Sequence, residues 1–367
     1  MDYKDVFLIL SNLNQFQSRK VLIKKIYDSC GDLTDFFNHN KNTFPYKLSP
    51  KDYEDLGALR NEAQKIDLSK IKSSMDEKDI SYLAYSENKY PSALKNISDP
   101  PFCLFYKGDL DLFSKKSVAI VGTRTPTPYG INITKKISSV FADLDIVVVS
   151  GLASGIDSCA HIGTLKNGKT IAVLGTGVDI IFPAENKDLF KKILDKGGLI
   201  LSEYIPGTSS LPWNFPQRNR IISALAGAVI VVEGSLQSGS LITARFAIKQ
   251  GKPLFALPGP INETMSNGPN ILIKSKVAEL FTSVNDVLEK ISKDQVMQLN
   301  LELDKKEQND LTSKQQEIYK LVESCPKDFD SLLDKTKLDI SELITNLSIL
   351  ELKGYIEKTN DGNYVKI

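Results

Sequence analysis

The chain is short of the residues from which metal centres and nucleophilic sites are built. Its 367 residues include two histidines, His39 and His161, and four scattered cysteines, Cys30, Cys103, Cys159 and Cys325, with no C-x-x-C pair. A metal site and a disulfide framework are both disfavoured, and the cysteines read as reduced, mostly buried thiols. Charge of one sign is also lacking. A net charge of +1 excludes a blanket attraction to nucleic acid, while leaving room for a local patch. No apolar run approaches the roughly 20 residues that span a bilayer, and MDYKDVFLIL carries acids where a signal peptide needs bases. A cytoplasmic protein with no membrane partner is expected. Arginine is the most informative scarcity. Six occur against forty lysines, and two of the six, Arg218 and Arg220, bracket an asparagine in NFPQRNRIIS.

What is present divides the chain. Residues 1–66 read as short helices and 67–117 as mixed, ending in the extended FCLFYKGDL. From Val118 the pattern changes to apolar, β-branched runs alternating with helical segments: VAIVG (118–122), DIVVVS (145–150), TIAVLG (170–175), GGLILS (197–202), AVIVVEG (228–234) and KPLFALPG (252–259). A strand that is apolar throughout is covered on both faces, and strand–helix alternation argues for a doubly wound parallel sheet of Rossmann-like type. Domain boundaries are expected at 1–66, 67–284, a polar connection over 285–310, and 311–367. The last segment, three short helical patterns and two strands around an Asp-Gly turn, predicts a winged helix.

In an open parallel sheet, ligands bind outside the carboxyl ends of the strands. The six loops there are built from Gly, Ser, Thr, Pro and Asn: GTRTPTPYG, SGLASGID, GTGVDIIFPAEN, SEYIPGTSSLPWNFPQRNR, EGSLQSGSLITA and LPGPINETMSNGPN. Glycine admits backbone close to a ligand, and hydroxyls at helix starts stand beside exposed N–H groups. That is chemistry for oxyanions, although tight βα turns favour the same residues. Four of the six arginines, Arg124, Arg218, Arg220 and Arg245, lie here, and residues 118–260 carry fourteen Lys/Arg against nine Asp/Glu. A guanidinium fork suits phosphate better than an ammonium does, so the Arg218/Arg220 run reads as a phosphate clamp; the competing reading is a buried ion pair with Glu203 or Glu233. Trp213, the only tryptophan, and Phe215 flank the clamp, an arrangement suited to stacking unpaired bases.

Catalytic constellations are hard to assemble. GTRTPTPYG is not a G-x-G-x-x-G dinucleotide fingerprint, and no Walker lysine motif is present. His161 beside Cys159 reads as helix packing. Asp157, Asp179, Glu203 and Glu233 fall on different loops, so no acid–base pair can be named. A binder with no cofactor is expected rather than an enzyme.

These motifs, with VVSGLASGIDSCAH, LSEYIPGT and NGPN, resemble the bacterial DNA-processing protein A family (DprA, also called Smf) from about Tyr90 to Leu280; YPSALKNISDPPFCLFYKGDL resembles the same family. The resemblance implies a non-catalytic, homodimeric, single-stranded-DNA-binding protein that loads RecA recombinase during natural transformation, with single-strand-binding protein as a further partner. It implies an N-terminal SAM-like helical domain, where SNLNQFQSRK lacks the glycine of a DNA-gripping hairpin, and a C-terminal winged helix. The implied DNA contacts are Gly122, Thr123, Arg124, Gly151, Gly155, Gly175, Gly177, Phe215, Gln217, Arg218, Asn219, Arg220, Ser238, Gly239, Ser240 and Thr243. Lys274 or Lys276 stands where relatives place an arginine. Asp339, Glu342 and Glu351 on the last helix are the wrong sign for duplex recognition, so the winged helix reads as a protein-contact module. The alternatives are a mononucleotide-binding sensor and a nucleoside-phosphate hydrolase of the same superfamily, whose glutamate would fall near Ala244 and Arg245.

Overall fold

The computed structural model describes residues 3–13, 22–28, 33, 49–292, 311–324, 326–352, 355–359 and 362–366. Cys30, His39, Cys325, residues 14–20 of the SNLNQFQSRK segment and residues 293–310 of the expected connection lie outside the described residues. Two compact units form, Met1–Lys293 and Asp294–Ile367.

Six apolar runs become six parallel strands. They are β3 (Ser117–Val121), β4 (Val147–Ser150), β5 (Thr170–Val173), β6 (Leu199–Ser202), β7 (Ala228–Val231) and β8 (Leu254–Ala256). Three further strands, β1 (Ser81–Ala84), β2 (Cys103–Gly108) and β9 (Glu279–Leu280), complete a nine-stranded sheet ordered β1-β2-β6-β5-β4-β3-β7-β8-β9. β2 lies in the expected FCLFYKGDL. It and β1 run antiparallel along one edge, whereas β9 adds a parallel strand at the other. The chain steps outward from β3 to β6 and then returns past β3 to β7, so the winding reverses between two adjacent strands in register at Val118–Ala228 and Val121–Val231. That reversal opens a crevice at their carboxyl ends.

Alternate residues of the central strands face opposite layers. Ala119, Val121, Val149, Val173 and Val229 join a core with Ile221 and Ile222 of helix Asn214–Leu225 and with Ala244 and Ala247 of helix Ser240–Lys249. The same core takes in Val6, Phe7 and Leu10 of the first helix, together with Leu56 and Leu59. Phe7 stacks on Phe102, ring centroids 6.0 Å apart, and Tyr27 meets Tyr85 edge-on. Residue 66 is therefore not a break in packing: the N-terminal helices bury their apolar faces in the core of the sheet, a coupling that helical periodicity alone does not reveal.

The C-terminal unit is a winged-helix domain. Helices Ser313–Ser324, Phe329–Thr336 and Ile340–Leu352 precede an antiparallel pair, β10 (Ile356–Lys358) and β11 (Tyr364–Lys366). Ile318, Leu332, Leu343, Leu347, Ile356 and Tyr364 form its core. Gly362 supplies the positive φ of 83° that the turn demands.

Candidate nucleic-acid interface

A crevice of 410 Å³ lies at the reversal point, within the roughly 300–1,000 Å³ typical of small-ligand sites. Its walls come from the loops after five strands. Gly122, Thr123 and Arg124 follow β3, Ala153 and Asp157 follow β4, Phe215, Arg218 and Asn219 follow β6, Ser238, Gly239, Ser240 and Thr243 follow β7, and Met265 follows β8. Ten of the expected site residues thus converge here. Helices Asn214–Leu225 and Ser240–Lys249 begin at this crevice without a side-chain cap. At Ser240–Lys249 the first N–H groups are already taken, Ser240 by Ser238 Oγ, Leu241 by the Ser238 carbonyl and Ile242 by the Gly239 carbonyl. At Asn214–Leu225 the Asn214 N–H bonds the Leu211 carbonyl and Pro216 has none, so what the two helix starts offer an anion is their partial positive charge.

Phe215 is placed with care. Arg124, exposed at the end of β3, lays its guanidinium 5.6 Å from the centre of the Phe215 ring. Behind the ring stands Phe182 at 5.3 Å. A Cβ on Gly175 would come within 2.8 Å of Phe215 Cδ1. Gly175 therefore makes room for the aromatic ring, not for a ligand's backbone. Phe182 had a legible signal, an aromatic in the strand-end loop DIIFPAEN, but only the fold brings it to Phe215. Trp213, immediately before the helix, is 65% exposed.

The arginine pair turns inward. Arg218 and Arg220 are each 3% exposed. Arg220 makes a two-pronged bond to Glu203, Nη1 to Oε1 at 2.8 Å and Nη2 to Oε2 at 2.6 Å, and its Nε donates to the Asp99 carbonyl at 2.8 Å. The guanidinium is desolvated, yet the Glu203 carboxylate beside it raises its pKa above the usual arginine value. The competing reading, a buried ion pair with Glu203, holds for Arg220, and the outward clamp does not. Arg218 borders the crevice from below, and its Nη1 donates to the carbonyls of Gly151, at 2.8 Å, and Val173. Burial lowers its pKa to about 10 against the counter-pull of Asp157, whose own pKa burial raises. The physical reason is distance in sequence: the neutralising carboxylates arrive from other loops.

Several glycines prove equally structural. A Cβ on Gly151 would lie 2.6 Å from Arg218 Nη2, and one on Gly122 would enter the Ile156 side chain. Gly155, at φ 80°, packs against the carbonyls of Thr123 and Arg124. Gly177 meets the backbone of Ile205 and Gly207. Of the expected contacts, Gly151, Gly155, Gly175, Gly177, Gln217 and Arg220 are not on the crevice wall. Glycine here serves loop-on-loop packing, so composition alone overstates its contact with ligand.

The scattered carboxylates are all engaged. Asp157 accepts from the Gly151 N–H at 3.0 Å, and Glu233 accepts from both the amide and the hydroxyl of Thr127, fixing the start of helix Pro128–Asp143. Asp179 pairs with Lys78 at 2.7 Å. His161 is fully buried, bonded through Nδ1 to Thr170 Oγ1 at 2.8 Å, and burial drives its pKa down to about 3. Among the described residues no His/Cys/Asp/Glu group could hold a metal ion, and no helix is long and apolar enough to cross a membrane.

Comparison with known proteins gives this geometry its context. Residues 81–292 match the family described as DNA recombination-mediator protein A, and residues 302–362 match the DprA winged helix domain. The chain is 40% identical over 296 residues to the DNA processing protein DprA of Bacillus subtilis, covering 79% of this chain and 96% of that one. It is 36% identical over 286 residues to the protein Smf of Escherichia coli, covering 76% and 75%. The X-ray structure of DprA from Streptococcus pneumoniae superposes with a TM-score of 0.64 at 35% identity, covering 80% of this chain and 98% of that one. DNA processing protein A from Helicobacter pylori, whose structure concerns its single-stranded DNA binding mode, superposes with a TM-score of 0.52 at 36% identity, covering 57% and 94%.

Proposed function

Since the chain belongs to the DNA recombination-mediator protein A family, we propose that it is a non-catalytic mediator that holds single-stranded DNA in the strand-end crevice and delivers it to a RecA-type recombinase. The observation that carries the reading is the joining of Arg124, Phe215 and the positive ends of two helices around one crevice. A phosphate meets the guanidinium and the partial positive charge of the two helix starts, and an unpaired base meets the ring of Phe215. Serine hydroxyls add neutral donors: Ser238 and Ser240 lie 2.8 Å apart at the crevice wall. Asn219 spans the wall, accepting from Arg218 Nε and donating to the Gly239 carbonyl.

Arg218 and Arg220 support this surface from within. Arg220 ties the middle of helix Asn214–Leu225 to the end of β6, and Arg218 ties the helix to the ends of β4 and β5. Engagement of Asp157 by the Gly151 N–H, of Glu203 by Arg220 and of Glu233 by Thr127 favours binding over hydrolysis. The proposal extends to a homodimer in the cytoplasm, with recombinase and single-strand-binding protein as partners and DNA uptake as the setting.

Trp213, alone of its kind and at the rim, offers a direct test. Its fluorescence should be quenched in a saturable way by oligo-dT, and far less by duplex of the same length or by AMP. Equal response to duplex would remove the single-strand reading, and saturation by AMP with no competition from oligo-dT would favour a mononucleotide sensor. Release of adenine from AMP would favour the hydrolase.

A further inference from the structure

At the amino ends of the central strands, where β3 and β7 begin, a second cavity of 290 Å³ is lined by Lys115, Lys116, Lys252 and Lys290 around Ser117 and Gly227, with no carboxylate in its wall. The four lysines come from three separated segments: the approach to β3, the approach to β8 and helix Val284–Ile291. Like charges repel, so their convergence needs a compensating anion. Two have one: Lys115 pairs with Asp145 at 2.6 Å and Lys290 with Glu279 at 2.9 Å. The other two bond to neutral oxygens, Lys252 Nζ to the Ala226 carbonyl at 2.7 Å and Lys116 Nζ to the Ser292 hydroxyl. An ammonium has three donors, so each of these retains donors beyond the bond it makes.

We infer that this lysine-lined cavity is a second oxyanion site, distinct from the strand-end crevice, and that it takes a phosphate group. Two ammonium charges without a carboxylate match the roughly two negative charges of a phosphate monoester or inorganic phosphate, and also suit a phosphodiester backbone. Burial lowers the pKa of Lys252, a penalty that a bound anion would offset. β3 is five residues long, so about 17 Å of strand separates its two ends, too far for one phosphate to serve both.

The full-length chain and its Lys116→Gln, Lys252→Gln and Arg124→Ala variants test the assignment. The thermal midpoint should rise with inorganic phosphate at constant ionic strength. That rise should survive Arg124→Ala and shrink in both lysine variants; Lys116, being exposed, keeps the test valid if Lys252→Gln fails to fold. If the source is nucleic acid, Lys116→Gln should also weaken binding of a 30-nucleotide oligo-dT at least threefold while leaving a six-nucleotide oligo-dT unchanged. A phosphate response without that length effect identifies free phosphate as the ligand. No phosphate response and no length effect, or a response abolished by Arg124→Ala and kept in Lys116→Gln, overturns the site. Loss of short-oligo binding tracks the crevice instead, so the two accounts fail separately.

Discussion

Arg124 lies on the crevice wall and Arg220 lies behind it, and the same residue type does opposite things in the two places. Arg220 is buried, forked onto Glu203 and bonded to Asp99. Arg124 is exposed over an aromatic ring. One holds the wall in place and the other faces what comes to it. The lesson is that a guanidinium's role is set by whether a carboxylate from another loop reaches it first.

The contrast can be broken most forcefully at Arg220. Arg220→Ala leaves the Glu203 carboxylate buried and unpaired, which should cost about 3–5 kcal/mol of stability. Urea unfolding would show it, and a double-mutant cycle with Glu203→Ala should recover part of the loss. A loss below about 1 kcal/mol would mean the pair is not structural. Acid attacks the same interior more gently. His161 has a folded pKa of about 3, below the 6.5 of the free side chain, so its contribution is intact above pH 6.5 and declines as pH falls. Between pH 7 and pH 5 that amounts to about 2 kcal/mol, and His161→Gln should flatten the decline. An unchanged pH profile in that variant would locate the acid sensitivity elsewhere.

The exposed side of the comparison predicts losses of binding without losses of fold. Phe215→Ala should weaken oligo-dT binding by ~1–3 kcal/mol across sequences, as expected for one stacked base. Gly175→Ala should do part of the same, because the new methyl displaces the ring it supports. Anisotropy on variants with native melting curves checks both, and equal affinity in Phe215→Ala would exclude stacking there.

The layout of the parallel sheet was legible because strands buried on both faces are written as unbroken apolar runs; β4 to β8 fall within them and β3 begins one residue before its run, at Ser117. β1 was not, because SYLA is buried at only one end and is no unbroken apolar run, and neither was β9, two exposed residues. The crevice was legible in outline: Arg124, Phe215 and Ser238 to Thr243 sit where strand-end loops must place them. The inward turn of Arg218 and Arg220 was open in the sequence, since Glu203 could be named as a partner but not shown to reach. The pairing of Phe182 with Phe215 was not readable, because 33 residues separate two rings that touch. The glycines misled for a related reason: close approach of loop to loop and of loop to ligand call for the same residue.

Arg124→Ala is the most direct test of the central claim. Titration of labelled oligo-dT from 50 to 300 mM salt should show affinity reduced roughly fivefold near 0.1 M, and a log–log salt slope shallower by about 0.7, the loss of one phosphate contact. The melting temperature should stay unchanged. The same affinity and slope as the parent chain would contradict the account, because the crevice would then hold its DNA without the guanidinium that the fold leaves facing outward.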